Sequence, residues 1–389
     1  MADAIGSYLE SNLQSYLDDL RLLSGTDSGT DDKTGVDAVQ TWFEERFNQL
    51  GFATTRLPQA NWGDDLIARK RGNGKGRVLL IGHADTVYPR GIAAARPLTI
   101  NGDTILGPGT CDMKAGLLTG LYAMRALADA GWTDFEEITF VIVSDEEIED
   151  RHSAGLLMDE GPKHHAALTL EAARANGDIV TSRKATRWCR VEAVGKAAHA
   201  GVEPEKGASA TLAVANVIVE SFKLNGRRPG MTLNPGRITG GSNPNVVADH
   251  ATAMFDLRAW TNSDLEELTA GLNKIVESEW VPGVKLILHR DGDGMPAMER
   301  SAGTIRLEKH AISIANDLGF PLKGAATGGG SDVSYAVHKG TPGLDGLGPI
   351  GGLDHGPDEY IELSSIVPRT VLLARLLPSI CSDEELTNG

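Results

Sequence analysis

Residues 78–81, Val-Leu-Leu-Ile, form an unbroken apolar run between Arg77 and Gly82, and residues 138–143 form a second. Short runs of this kind predict strands buried on both faces, as in a parallel sheet. Residues 166–170 predict a weaker third strand. Between the first two lies a helical pattern over about residues 114–130, with Gly131 placed as a C-terminal stop. At the start of the chain Ile5, Leu9, Leu13, Tyr16, Leu17 and Leu20 recur at helical spacing and predict an amphipathic helix. The alternation predicts an α/β fold: a mixed sheet flanked by helices.

The pattern changes near residue 185. Residues 187–194 read as a strand and 208–222 as a helix; strands follow over 231–239 and 251–260. A second helix opens with Ser263 and Glu266 at capping-box spacing, and residues 284–289 close the set as a strand. The order β-α-β-β-α-β is that of a ferredoxin-like α+β unit. After Pro296 the earlier grammar resumes, with a helix over about 304–318. The expected organisation is a discontinuous catalytic domain, 1–184 and 297–389, interrupted by an inserted domain at 185–296.

Composition narrows the setting. The chain has 389 residues, 41% hydrophobic and 23% charged, which suits a folded protein with two domains. A net charge of −16 argues against nucleic acid or an anionic membrane as partner. Cys111, Cys189 and Cys381 are too few and too odd for a disulfide framework, so a reducing compartment is expected. Met1-Ala2-Asp3 starts no basic leader, and no apolar run approaches the roughly 20 residues that span a bilayer. The expected location is cytoplasmic.

Three predicted strands end in side chains of the metal-binding type. Ile81 leads to Gly82-His83-Ala84-Asp85, Val143 to Ser144-Asp145-Glu146-Glu147, and Leu170 to Glu171. Ligands of open α/β sheets bind outside the carboxyl ends of the strands, so three segments converge on one crevice. Alone, each has a bland counterpart: a structural histidine, a solvated acidic loop. His152, His164 and His165 read as exposed or structural, and Cys111 as a packed small residue. No Gly-x-Ser-x-Gly elbow occurs, which disfavours a serine hydrolase.

With those motifs in order the chain resembles the two-zinc peptidases and deacylases: glutamate carboxypeptidase, aminoacylase, acetylornithine deacetylase and succinyl-diaminopimelate desuccinylase. It is most similar to the glutamate carboxypeptidase branch. The resemblance runs through Gly82-His83-Ala84-Asp85-Thr86-Val87, residues 107–116 (Gly-Pro-Gly-Thr-Cys-Asp-Met-Lys-Ala-Gly), Asp145-Glu146-Glu147 and Glu171. It continues in Gly195-Lys196-Ala197-Ala198-His199-Ala200-Gly201, Gly328-Gly329-Gly330-Ser331-Asp332 and Leu353-Asp354-His355-Gly356. It implies a di-zinc hydrolase of C–N amide bonds, releasing a C-terminal amino acid from a peptidyl or N-acyl substrate. Asp112 would bridge two metals, with His83 and Glu171 completing one site and Glu147 and His355 the other. Asp85 would orient His83 by accepting its free ring N–H. A cis peptide is implied at Asp112-Met113. Three carboxylates, two neutral imidazoles and a bridging hydroxide balance two divalent ions; mixed N and O ligands suit zinc, with cobalt or manganese as substitutes.

In the same reading the paired cations activate a shared water, and Glu146 is the general base. His199 would stabilise the oxyanion. Asn245 and Arg258 would contact substrate, Arg258 as a fork for a carboxylate or, blandly, as a surface salt bridge. Gly329 and Gly330 would line the site through the backbone. The inserted unit corresponds to a lid or dimerisation domain, so a homodimer is expected. Two departures stand out. Gly294-Met295-Pro296-Ala297-Met298 carries Met295 where glutamate-cleaving relatives carry Arg, which points to an apolar or aromatic released residue. Ile148-Glu149-Asp150-Arg151 lacks the usual Gly and Ser after the acidic pair. Hydrolysis of ureido compounds and a nonhydrolytic binding role are the alternatives.

Overall fold

The computed structural model describes residues 2–290 and 292–387. The chain divides into two units: one holds the residues up to Ser182, Arg300–Thr327 and those from Ser331 on, and the other Arg183–Glu299 with Gly328–Gly330. The Gly328–Gly330 loop therefore groups with the second unit, not with the 297–389 segment. The reason is local: Arg258 Nη1 donates to Gly328 O at 2.7 Å, and Arg183 Nη1 donates to Gly329 O and Gly330 O at 3.3 and 2.8 Å.

In the first unit six strands form a mixed sheet in the order Ala53–Leu57, Asp65–Arg71, Glu137–Val143, Arg77–His83, Ala166–Thr169, Gly343–Leu344. The first two junctions are antiparallel and the rest parallel. Val78, Leu79, Leu80 and Ile81 are fully buried, as a central strand covered on both faces requires. The helix Ala115–Asp129 is buried on nearly every side. It ends where Gly131 takes φ 72 just past the cap, a conformation that glycine adopts without strain. Against it packs the helix Leu363–Cys381, which is long and apolar enough to cross a membrane but forms part of the core of this unit. Its Arg369 is buried, and the guanidinium donates to the carbonyls of Gly177, Gly346 and Gly348.

The N-terminal amphipathic helix is two helices, Ala2–Ser11 and Leu13–Ser24, broken at Asn12. Asn12 Nδ2 donates to Tyr8 O at 2.8 Å, the local bonding by which a short amide competes with helix continuation. The apolar period survives because Ile5, Leu9, Tyr16, Leu17 and Leu20 stay buried on both sides of the break.

The second unit has the β-α-β-β-α-β order: Ala185–Val194, helix Ala210–Phe222, Thr232–Gly240, His250–Ala259, helix Asn262–Val276 and Lys285–Arg290. Its four antiparallel strands lie in the order Thr232–Gly240, His250–Ala259, Ala185–Val194, Lys285–Arg290. Cys189, Val191, Ala253, Phe255 and Leu257 form a core with Val214, Val217, Leu265, Leu268 and Leu272 from the helices. The second helix is capped by Thr261, whose Oγ1 accepts the N–H of Asp264 at 3.1 Å, rather than by Ser263. Glu266 is instead free to pair with Arg187 at 2.7 Å.

Candidate metal centre

Strand register brings the acidic segments together. His83 pairs with Val143 and Ile81 with Thr169, so the three strands end almost level. Two bonds extend the alignment past the strand ends: Ala84 N–H donates to Val143 O at 2.9 Å, and Leu170 N–H donates to Ile81 O at 3.0 Å. Asp112 arrives from the side, on the turn before the helix Ala115–Asp129, and its peptide bond to Met113 is cis. Gly116 allows that approach. A Cβ there would lie 1.7 Å from the carbonyl oxygen of Leu170, the residue before Glu171.

Two donor groups result, His83-Asp112-Glu171 and Asp112-Glu147-His355, each with its ligand atoms within 4.8 Å of one another. Asp112 Oδ1 lies 2.9 Å from His83 Nε2, and Oδ2 lies 3.1 Å from His355 Nε2. Glu171 Oε1 is 3.5 Å from His83 Nε2, and Glu147 Oε2 is 3.2 Å from His355 Nε2. His355 takes φ 63, a left-handed residue whose side chain remains 55% exposed. The electrostatics fit a cation. Burial disfavours charge on His83, yet Asp112, Asp85 and Glu171 outweigh it and raise its pKa well above the usual range. Asp112 and Glu147 likewise push His355 up to about 11. Asp112, held against burial by the two histidines, is driven well below the carboxylate range. Burial and Asp112 push Glu147 up to about 7 and also raise Glu171. A divalent ion among these atoms takes the place of the protons. Glu147 Oε1 is buried and has no hydrogen-bond partner, so an acceptor is left over for such an ion.

Asp85, expected to orient His83, meets its ring with the main-chain carbonyl closer than the carboxylate. His83 Nδ1 lies 3.0 Å from Asp85 O and 3.3 Å from Oδ1. Asp85 Oδ2 accepts from Thr30 Oγ1 at 2.7 Å and from Glu147 N–H at 3.3 Å, while Oδ1 is buried beside the ring without a hydrogen bond. Glu146 opens a short 3-10 turn, Glu146–Ile148, after the strand Glu137–Val143. Burial, then Glu147, Glu171 and Asp150, raise its pKa well above the carboxylate range, although His83 opposes them.

The other expected residues lie in the second unit. His199 is exposed, and its segment runs beside that of Asn245: His199 bridges to Val246, and Ala200 N–H donates to Asn245 O at 2.9 Å. Arg258 is engaged by Asp256, through Nε at 3.1 Å and Nη2 at 2.9 Å, as well as by Gly328. Cys111 is buried, and burial raises its thiol far above a nucleophile's range.

Three further residues bear on the site: Glu359, which the sequence reading did not name, Asp332, quoted in a motif without a role, and His152, read as exposed or structural. Glu359 is buried and accepts the N–H groups of Gly109, Cys111 and Asp112 at 2.8, 2.7 and 3.0 Å, fixing the turn that delivers Asp112. Its only local signal is its place four residues after His355. Asp332 is fully buried, no N–H or O–H reaches its carboxylate among the described residues, and it faces Asp150. Burial, then the charge of Asp145, raises Asp150 to about 7, although its contact with Asp332 opposes the shift; burial and the charge of Asp150 raise Asp332 well above the carboxylate range. The third is His152, which lies between Asp65 and Asp145.

Comparison with known proteins agrees with this geometry. The family described as peptidase family M20/M25/M40 matches residues 79–379. Carboxypeptidase G2 of Pseudomonas sp. (strain RS-16) is 29% identical over 365 residues, covering 92% of this chain and 87% of that one. Acetylornithine deacetylase of Aliivibrio fischeri (strain MJ11) is 26% identical over 395 residues, covering 92% and 95%. The crystal structure of aminopeptidase PepT from Bacillus cereus ATCC 10987 has the same fold, with a TM-score of 0.81 at 24% identity over 95% of this chain and 99% of that one. Matched over that span and presenting such a donor set, the chain belongs to peptidase family M20/M25/M40, as a metal-dependent hydrolase of amide bonds.

Proposed function

We propose that this hydrolase releases a C-terminal amino acid from a peptidyl or N-acyl substrate, with two divalent cations, zinc foremost, and Glu146 as general base. The observation that carries the reading is Asp112, whose two oxygens face different histidines, each with a further carboxylate beside it. Such an arrangement suits two ions sharing one bridging carboxylate, with His83 and Glu171 on one and Glu147 and His355 on the other. The cations supply polarisation of the scissile carbonyl and a more acidic water. Glu146 takes the proton of the attacking water and passes it to the leaving amine. Its side chain makes no hydrogen bond within the protein among the described residues, and its raised pKa suits a group that must both accept and return a proton.

His199 is assigned to the oxyanion and Asn245 to substrate contact; Gly329 and Gly330 supply backbone to the site. Arg258 grips the substrate carboxylate in exchange for Asp256. Met295 supports an apolar or aromatic released residue. It is buried, and a Cβ on Gly330 would lie 2.3 Å from its sulfur, so this position offers thioether and methylene in place of a charge. A homodimer through the second unit is supported by Leu212, Val219 and Phe222, exposed on the helix Ala210–Phe222, and by Ile238, exposed on the edge strand Thr232–Gly240.

The test is a panel of N-acyl amino acids, dipeptides and ureido acids, assayed with zinc, cobalt or chelator. Hydrolysis is expected to need metal and to favour C-terminal Phe or Leu over Glu. Turnover that survives thorough metal removal would overturn the metal reading, and strong preference for Glu the specificity.

A further inference from the structure

Behind the acidic turn runs a polar network that the metal donors do not use. His152 has a carboxylate at each ring nitrogen: Nδ1 lies 2.6 Å from Asp145 Oδ2, and Nε2 lies 3.4 Å from Asp65 Oδ1. Both aspartates are buried, and a negative charge beside each ring nitrogen favours the doubly protonated imidazolium as their ion-pair partner. Ser144 Oγ sits 3.2 Å from Nε2, with Gly63 O at 2.6 Å and Asp65 Oδ1 at 3.0 Å as the two acceptors open to its one O–H. The indole of Trp62 stacks on the imidazole at 5.3 Å with planes 11° apart, a face that favours a cation.

Asp65, at the start of the strand Asp65–Arg71, and Asp145, just past the strand Glu137–Val143, are the charged groups that act on the ring. Burial opposes the charge, but the two carboxylates outweigh it and push His152 up to about 9. These three residues are also close enough to be considered as a metal set. A ring protonated on both nitrogens, as the two facing carboxylates favour, has no lone pair to offer an ion.

The clamp bears on the turn through Asp145, the residue before Glu146. Asp145 also accepts the His152 N–H at 2.8 Å and Ser153 Oγ at 2.5 Å, and its carbonyl accepts the N–H of Ile148 and Asp150 at 3.3 and 3.0 Å. The turn needs holding: Glu149 and Asp150 take φ 65 and 49, left-handed values that disfavour side chains other than glycine.

We propose that His152, as an imidazolium clamped between Asp65 and Asp145, is a positioning residue that keeps the Glu146–Glu147 turn in working geometry, and that its deprotonation sets the alkaline limit of activity. The second half rests on the reading of Glu146 as general base. Two measurements on the full-length, metal-loaded protein test it. In NMR of histidine-labelled protein, the resonance missing from His152→Gln should be protonated at neutral pH and titrate near pH 9. In Asp65→Asn its midpoint should fall by about one unit. A resonance that titrates in the ordinary range near 6.5, or is unmoved in Asp65→Asn, overturns the clamp whatever the role of Glu146. In kinetics, Asp65→Asn should shift the alkaline limb of kcat downward together with that midpoint. His152→Gln should lower kcat about 10- to 100-fold with KM and metal content little changed. If the NMR midpoint moves and the kinetic limb does not, the positioning role is refuted. Full activity of Glu146→Gln would remove the base assignment but leave the His152 titration standing, so the two failures are distinguishable.

Discussion

Glu359 accepts the main-chain N–H of Asp112 at 3.0 Å, across 247 residues of sequence. The same carboxylate takes the N–H groups of Gly109 and Cys111, so one buried side chain aligns the whole turn that presents the shared donor. Glu359→Ala leaves three buried donors unsatisfied and frees Asp112 to turn away. Metal affinity is expected to fall about 10- to 100-fold, as it does when groups that orient a ligand are removed. Glu359→Gln keeps one acceptor oxygen and should lose less. Competition against a chelator measures both, and wild-type affinity in Glu359→Ala would end the positioning role.

The neighbouring glutamates should separate cleanly under mutation. Glu146→Gln preserves shape and removes only the ability to take a proton. It should keep its metal while kcat falls about 100- to 10,000-fold, the usual contribution of a general base. Glu147→Gln, by contrast, should lose metal before it loses anything else. Metal analysis beside steady-state kinetics decides, and a Glu146→Gln protein of near wild-type turnover would sink the assignment.

Metal should also be visible in stability without any substrate. An ion that binds only the folded chain stabilises it by about 2.7 kcal/mol at a hundredfold excess over its Kd. Zinc is therefore expected to raise the Tm of the wild type and chelator to lower it. Asp112→Ala, which removes the oxygen pair common to both donor groups, should show neither response. A wild-type Tm indifferent to both would count against a built site.

What could be read in advance was what repeats or alternates locally. The apolar runs at 78–81 and 138–143 are central strands, and the β-α-β-β-α-β order of the second unit follows its own periodicity. The helix break at Asn12 was invisible because both halves bury the same stripe, so the period carries straight through it. The cap at Thr261 was misplaced by two residues, since Thr-x-x-Asp and Ser-x-x-Glu compete for one helix start. For the site, strand ends explain why His83, Glu147 and Glu171 meet. Asp112 and His355 come from turns 243 residues apart, and no local pattern pairs them; only resemblance did. Glu359 and His152 act through backbone and through other side chains, which leaves no spacing to detect.

The charge on His152 makes a prediction about stability that is independent of catalysis. Its pKa is raised in the folded chain, to about 9 from an ordinary value near 6.5. A raised histidine stabilises the fold fully below its unfolded pKa and loses that contribution as pH climbs through the folded value. The stability difference between wild type and His152→Gln should therefore be widest near pH 6, shrink across pH 6.5 to 9 and level off above. The ring keeps some solvent contact, so screening limits the pH-dependent part to about 1–2 kcal/mol rather than the full shift. Asp65→Asn removes one of the two carboxylates and should show a smaller pH-dependent span of the same sign. Denaturant unfolding at pH 6, 8 and 10 reads the effect directly. A stability difference that stays flat across that range would mean that His152 has the same pKa folded and unfolded, and would refute the clamp.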